Sequence, residues 1–159
     1  MTRSLGSAIP DRLLSRLMTP DGMPADLAIV LATIDPYGWA HPALVSYAEL
    51  LALDVTRLRL ALHAGSRSAR HLGESGRATL VFADADLCLY VKVEASGLPP
   101  APGMPDLVRF ELIVRDVLED RAEGDEAGAR LTSGLGIDWP SGSEIVTARR
   151  ARLRNALLA

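Results

Sequence analysis

Residues 64–80 read AGSRSARHLGESGRATL, and this stretch decides the fold. The segment leading into it, residues 58–64, alternates Leu58, Leu60 and Leu62 against Arg59, Ala61 and His63, the period of a β-strand. It runs into a Gly-Ser turn. Ser66 is a good helix cap, residues 66–75 predict a short helix, and Gly76 stands where a C-cap glycine belongs. Residues 77–83 (RATLVFA) then return to strand character. A helix N-terminus presents unpaired N–H groups and a partial positive charge, so Ser66, Arg67, Ser68 and Arg70 form a candidate anion seat. The plainer reading is a capped surface helix with solvated arginines.

Working outward, residues 10–18 (PDRLLSRLM) place Leu13, Leu14, Leu17 and Met18 at helical spacing, with a turn at residues 19–22. Residues 27–34 (LAIVLATI) are a continuous aliphatic run, expected to be a strand buried on both faces. The turn Asp35-Pro36-Tyr37-Gly38 leads to a second strand at 39–47, where Pro42 argues for an edge position or a bulge. After Asp84-Ala85-Asp86, residues 87–95 alternate again, a Pro/Gly loop covers 96–105, and 107–118 make the longest strand candidate. Residues 119–128 read as an acidic surface connection, 127–131 as a helical turn closed by Ser133–Gly136, and 143–158 as a helix with Arg149, Arg150, Arg152 and Arg154 toward its end.

Six strands joined mostly by hairpin turns, with one helix inserted and helices at both ends, predict a small antiparallel six-stranded split β-barrel of Greek-key type in a mainly β (α+β) domain. The expected organisation is a single domain: a helical segment over 1–25, the barrel core over 26–120 and a C-terminal helical segment over 121–159. With 159 residues, 48% of them hydrophobic, a real core is available. A net charge of −3 gives no global reason to bind nucleic acid or an anionic membrane. The single cysteine, Cys88, suits a reducing cytoplasm, and no signal peptide or membrane segment is visible. His41, His63 and His71 form no metal-binding pattern, and no metal is expected.

The order strand, DPxG turn, strand, strand, AGSRSARHL helix, GRATLVF strand, strand resembles the flavin-binding split-barrel family related to pyridoxamine 5'-phosphate oxidase, over roughly residues 27–118. The resemblance implies a homodimer with FMN in a cleft between subunits, its phosphate held by residues matching Ser66, Arg67, Ser68 and, less directly, Arg70. Two departures stand out. Family oxidases place a lysine after the arginine matching Arg67 where this chain has Ser68, and an arginine and a lysine where residues 42–47 (PALVSY) have none. The family includes oxidases, reductases, haem-handling proteins and deazaflavin users, so the fold alone does not fix the reaction.

Toward the flavin ring, Ser46 and Tyr47 are candidates to bond or stack on it, and His63 to contact flavin or substrate; ordinary strand packing is the alternative for each. Cys88 reads as a small buried hydrophobe and the arginines of 149–154 as complements to a helix dipole. The expectation is an FMN-dependent oxidoreductase of unknown substrate. Its rivals are a flavin, deazaflavin or haem binding module without turnover, and a structural dimer with a decayed cofactor site.

Overall fold

In the computed structural model, which describes residues 2–19, 23–139 and 144–159, all six expected strands are present. They are β2 (Leu27–Ile34), β3 (Ala40–Ser46), β5 (Arg57–His63), β6 (Arg77–Ala83), β7 (Cys88–Leu98) and β8 (Leu107–Asp120). Short strands β1 (Thr2–Ser4), β4 (Leu50–Ala52) and β9 (Leu135–Gly136) extend the sheet. All pairings are antiparallel, in the order β3-β2-β6-β7-β8-β5-β4, with β1 on β8 and β9 on β2. The two ends of that path, β3 and β4, are consecutive pieces of chain joined by a 3-10 turn over Tyr47–Glu49, so the sheet curls round on itself. Pro42 sits in β3, at the end of the path, where a missing N–H is tolerated.

The inward side chains are the alternate apolar residues of each strand. Ile29, Leu31, Leu58, Leu60, Leu80, Leu89 and Leu112 are fully buried in one core. Helix α1 (Asp11–Met18) adds Leu13 and Leu17 at the end of β6 that carries Asp84, while α2 (Arg67–Ser75) adds Ala69 and Leu72 near the start of β6. Helix α3 (Glu144–Leu158) covers the outside of β4 and β5 instead, where Leu153, Ala156 and Leu157 pack on Leu51, Ala61 and Leu107. Two sheet arginines secure its end: Arg59 Nη1 donates to the carbonyl of Leu157 at 2.7 Å and Arg109 Nη1 to that of Ala156 at 2.9 Å. These are the carbonyls a helix C-terminus leaves unsatisfied, and cations there are favoured by the dipole.

Several expectations change. β2 is not buried on both faces: Ile29, Leu31 and Thr33 are inside, but Val30 and Ala32 are half-buried and Ile34 is exposed, because no helix covers that outer face. The strand β7 continues to Leu98, shortening the loop expected from residue 96. Glu119 and Asp120 belong to β8 rather than to a surface connection, since Glu119 is buried among the guanidiniums of Arg3, Arg12 and Arg121. Residues 127–131 hold no helical turn; a 3-10 turn lies earlier, at Gly124–Glu126, and the Ser133–Gly136 stretch contributes β9. Of the expected turn at 19–22, residues 20–22 lie outside the described residues, as do 140–143. Among the described residues no helix is long and apolar enough to cross a membrane.

Burial alone would push the Glu119 carboxyl up, but bonds from Arg121 and Arg12 outweigh it and hold it below the usual range. A carboxyl depressed on folding stabilises above its unfolded value and loses that contribution as pH falls. Glu119→Gln is therefore expected to lower the thermal midpoint at pH 7, with the gap to the parent closing below about pH 4. Midpoints of both proteins measured across pH 3–8 check this.

Candidate functional site

Local chemistry builds the N-terminus of α2 from its turn upward. Ala64 N–H donates to the carbonyl of Asp106 at 2.8 Å, tying the turn to the start of β8, and Ser66 N–H donates to the carbonyl of His63 at 2.9 Å. The His63 ring folds back over the turn, with Nδ1 accepting from Gly65 N–H at 3.2 Å. That bond places the ring proton on Nε2, which faces the exposed side. Ser66 Oγ accepts from Ala69 N–H at 3.1 Å, the expected cap, and Gly76 closes the helix at φ +64° with its N–H on the carbonyl of Leu72.

What remains open at this end are the N–H groups of Arg67 and Ser68, the first two of the helix, which have no intrahelical acceptor. The side chains of Arg67 and Arg70 are exposed, and among the described residues neither guanidinium has a hydrogen bond or ion pair. The contrast with α3 is sharp. There Arg149 pairs with Glu49, Arg152 with Asp106, Arg150 donates to Ala25 and Arg154 to Met18. The α3 arginines serve to fasten the helix to the loops.

The other expected residues are distributed differently. Ser68 is only 6% exposed and lies on the packed face of α2 with Ala69, His71 and Leu72, so its hydroxyl is not presented beside Arg67. Ser46 uses both its N–H (2.7 Å) and its Oγ (2.9 Å) on Glu49 Oε2. Tyr47, 2% exposed, packs its ring 6.0 Å from that of Phe82, and burial pushes its phenol up. Within one protomer, then, Ser66, Arg67, Arg70 and His63 lie on one turn and the first turn of α2, whereas Ser46 is engaged by Glu49 and the Tyr47 ring packs into the core.

A pair that single residues did not reveal lies one turn further along α2. His71 is 4% exposed, its Nδ1 has no partner, and the ring of His41 from β3 meets it edge-on with centroids 4.8 Å apart. Thr33, fully buried, donates Oγ1 to the His41 carbonyl at 3.3 Å. The contact joins α2 to the sheet edge. On the far side of the sheet, Tyr90 donates to Asp120 Oδ2 at 2.7 Å with Cys88 Sγ 3.9 Å away, and the phenol is pushed up by the Asp120 bond and by burial. Among the described residues no cluster of His, Cys, Asp or Glu could hold a metal ion.

The geometry of the seat depends on its cap. Removing the Ser66 hydroxyl frees the Ala69 N–H, so Ser66→Ala is expected to cost about 1 kcal/mol in urea unfolding and to speed amide exchange in the first turn of α2.

With this architecture in view, comparison with known proteins places the chain. The uncharacterized protein YclD of Bacillus subtilis (strain 168) is 31% identical over 129 residues, covering 80% of this chain and 81% of YclD. A crystal structure of a candidate pyridoxamine 5'-phosphate oxidase from Lactobacillus delbrueckii is similar in fold, with a TM-score of 0.56 at 15% identity over 72% of this chain and 98% of that one. The flavin reductase PheA2 is a looser likeness, with a TM-score of 0.49 at 10% identity over 84% of this chain and 100% of that one. No family model matches. The chain belongs to the protein family of Bacillus subtilis YclD, built on the split β-barrel of the pyridoxamine 5'-phosphate oxidase-like proteins.

Proposed function

We propose that this protein is a homodimeric flavin-binding oxidoreductase of the reducing cytoplasm that seats an FMN phosphate at the N-terminus of α2. One observation carries the reading: the first turn of α2 carries two N–H groups without an intrahelical acceptor and two exposed guanidiniums that have no partner among the described residues. A phosphate monoester matches that donor set, since charge-assisted bonds to phosphate are about twice as strong as neutral ones. Ser66 and Arg67 hold the phosphate, Arg70 completes its charge, and Ser68 contributes its backbone N–H. His63 presents Nε2 at the lip for flavin or substrate. With no lysine or arginine among residues 42–47, two cations serve where a richer seat would use more, and affinity is correspondingly modest.

A bound flavin supplies hydride and electron transfer; the chain's part is to bind it, orient it and keep water from it. Because Ser46 and Tyr47 are engaged within the protomer, a wall for the ring must come from a second copy. The open outer face of β2 and β3 supports such a copy. Leu44 is 66% exposed opposite Val30, Ile34 is exposed at the other end of the β2–β3 pairing, and the hairpin tip adds Tyr37 at 87% and Trp39 at 73%. An apolar patch of this kind on a soluble domain marks an interface.

Titration with FMN, followed by absorbance and by quenching of flavin fluorescence, tests the seat, with a deazaflavin and haem offered in parallel. Saturable FMN binding is expected, and Arg67→Ala should weaken it about 5- to 150-fold, the effect of about 1–3 kcal/mol. Protein that ignores FMN, or an unchanged affinity in the variant, overturns the assignment. Anaerobic bleaching of bound flavin by NADH or NADPH then separates an oxidoreductase from a binding module. For the assembly, Leu44→Asp is expected to convert a dimer to a monomer in sedimentation equilibrium without loss of the circular dichroism spectrum.

A further inference from the structure

A second site lies away from the anion seat, beneath α3. Helix α1, the 3-10 turn over Tyr47–Glu49 and α3 border a half-open cavity of about 330 Å³. Its walls are mostly apolar, formed by the buried Leu17, Leu50 and Tyr47, the half-buried Met23 and the exposed Ala151. Three guanidiniums, those of Arg16, Arg150 and Arg154, also line it.

These three cations are not equally neutralised. Arg16 is answered by two carboxylates, Asp84 at 2.7 Å and Asp86 at 3.1 Å. Arg150 donates to the carbonyl of Ala25 at 3.0 Å and lies over the Trp139 ring, 5.9 Å from its centroid. Arg154 donates to the carbonyl of Met18 at 2.7 Å. Both acceptors are uncharged. The nearest carboxylate on the 3-10 turn, Glu49, is held by Ser46 and by Arg149 at 3.4 Å. Arg150 and Arg154, four residues apart on one helix, are therefore a like-charge pair, a spacing that disfavours the helix unless an anion sits between them.

We propose that this cavity binds a medium-chain aliphatic carboxylate, its carboxylate between Arg150 and Arg154 and its alkyl chain against Leu17, Leu50 and Ala151. At roughly 30 Å³ per water-sized group, the volume holds about ten non-hydrogen atoms, the size of a six- to eight-carbon acid. An apolar chamber with a few convergent polar groups is the usual form of a small-molecule site. A phosphate dianion is disfavoured, since the cavity offers only two unanswered cations and no open backbone N–H cluster. The site does not depend on whether a flavin occupies the α2 seat.

Isothermal titration of the full chain with octanoate, 1-octanol and octylamine at constant ionic strength tests the proposal. Octanoate is expected to bind saturably at one site per chain, with 1-octanol and octylamine each at least about tenfold weaker. Arg154→Gln should weaken octanoate about tenfold and leave octanol unchanged, because only the charge-assisted bond is lost. Ala151→Leu, which fills the chamber, should abolish both. The proposal is overturned if octanoate shows no saturable heat, if octanol binds as tightly, or if octanoate binding survives both substitutions. Should Ala151→Leu fail to fold, Arg154→Gln and the octanol comparison still decide the matter.

Discussion

The carboxylate of Glu49 holds the bend through which this sheet becomes a barrel. Its Oε2 accepts from both the N–H and the Oγ of Ser46, fixing one 3-10 turn between β3 and β4. Before that turn the chain pairs with β2; after it, with β5. A strand running straight on from Ser46 would leave β5 without its partner and the core open along one seam. The same bend drives Tyr47 inward onto Phe82, and burial pushes its phenol up, so it stays a neutral donor facing Arg16. Closure thus sets both the core and the shape of the chamber under α3.

Arginine is the fastener in this molecule, and its bonding pattern separates guanidiniums held by the protein from exposed ones without a partner among the described residues. Lys92 is the sole lysine, so almost every basic contact uses a planar fork suited to carbonyls and carboxylates. Arg59 and Arg109 grip the end of α3 from the sheet, and Arg149 and Arg152 pair its side with Glu49 and Asp106. A run of four arginines in one helix looks like a nucleic-acid patch in sequence. Each of them has an acceptor inside the protein, a carboxylate for Arg149 and Arg152 but only a neutral carbonyl for Arg150 and Arg154, so the helix is latched while two of its charges stay un-neutralised. Arg67 and Arg70 differ because they sit at a helix N-terminus, where their own backbone offers only donors.

Much of the fold was legible because period-two alternation marks β5, β7 and β8, and because Ser66 and Gly76 delimit α2 by cap chemistry that acts within four residues. The bend at Ser46–Glu49 was legible in principle: Ser-x-x-Glu is a capping-box spacing. An extended strand through Ser46 and Tyr47, with both as ring contacts, is the competing reading that hides it. What local pattern cannot carry is long-range pairing. Glu119 reads as a solvated charge until Arg3 and Arg12 are brought to it from the N-terminal end of the chain to join its neighbour Arg121. The His41–His71 contact likewise joins an edge strand to a helix placed by a different part of the sequence. Hydrophobicity also misled at β2, where an unbroken aliphatic run implied cover on both faces and the fold covers one.

That uncovered face bears on how the anion seat can work. Inside the barrel every alternate residue is packed, so the protomer needs nothing more for a core. Outside, α3 completes β4 and β5, but the β2–β3 side ends in Ile34, Leu44 and an exposed hairpin tip. The Asp35 carboxylate rigidifies that tip, accepting from Tyr37 N–H at 2.9 Å and Trp39 N–H at 2.8 Å, so its two aromatic rings are presented on an ordered turn rather than a loose loop. An ordered apolar projection loses little conformational entropy on association. The seat at α2, by contrast, is rich in donors and poor in apolar wall. In the proposed dimer each feature would supply what the other lacks, an apolar wall for the donors of α2 and a partner for the open face of β2 and β3.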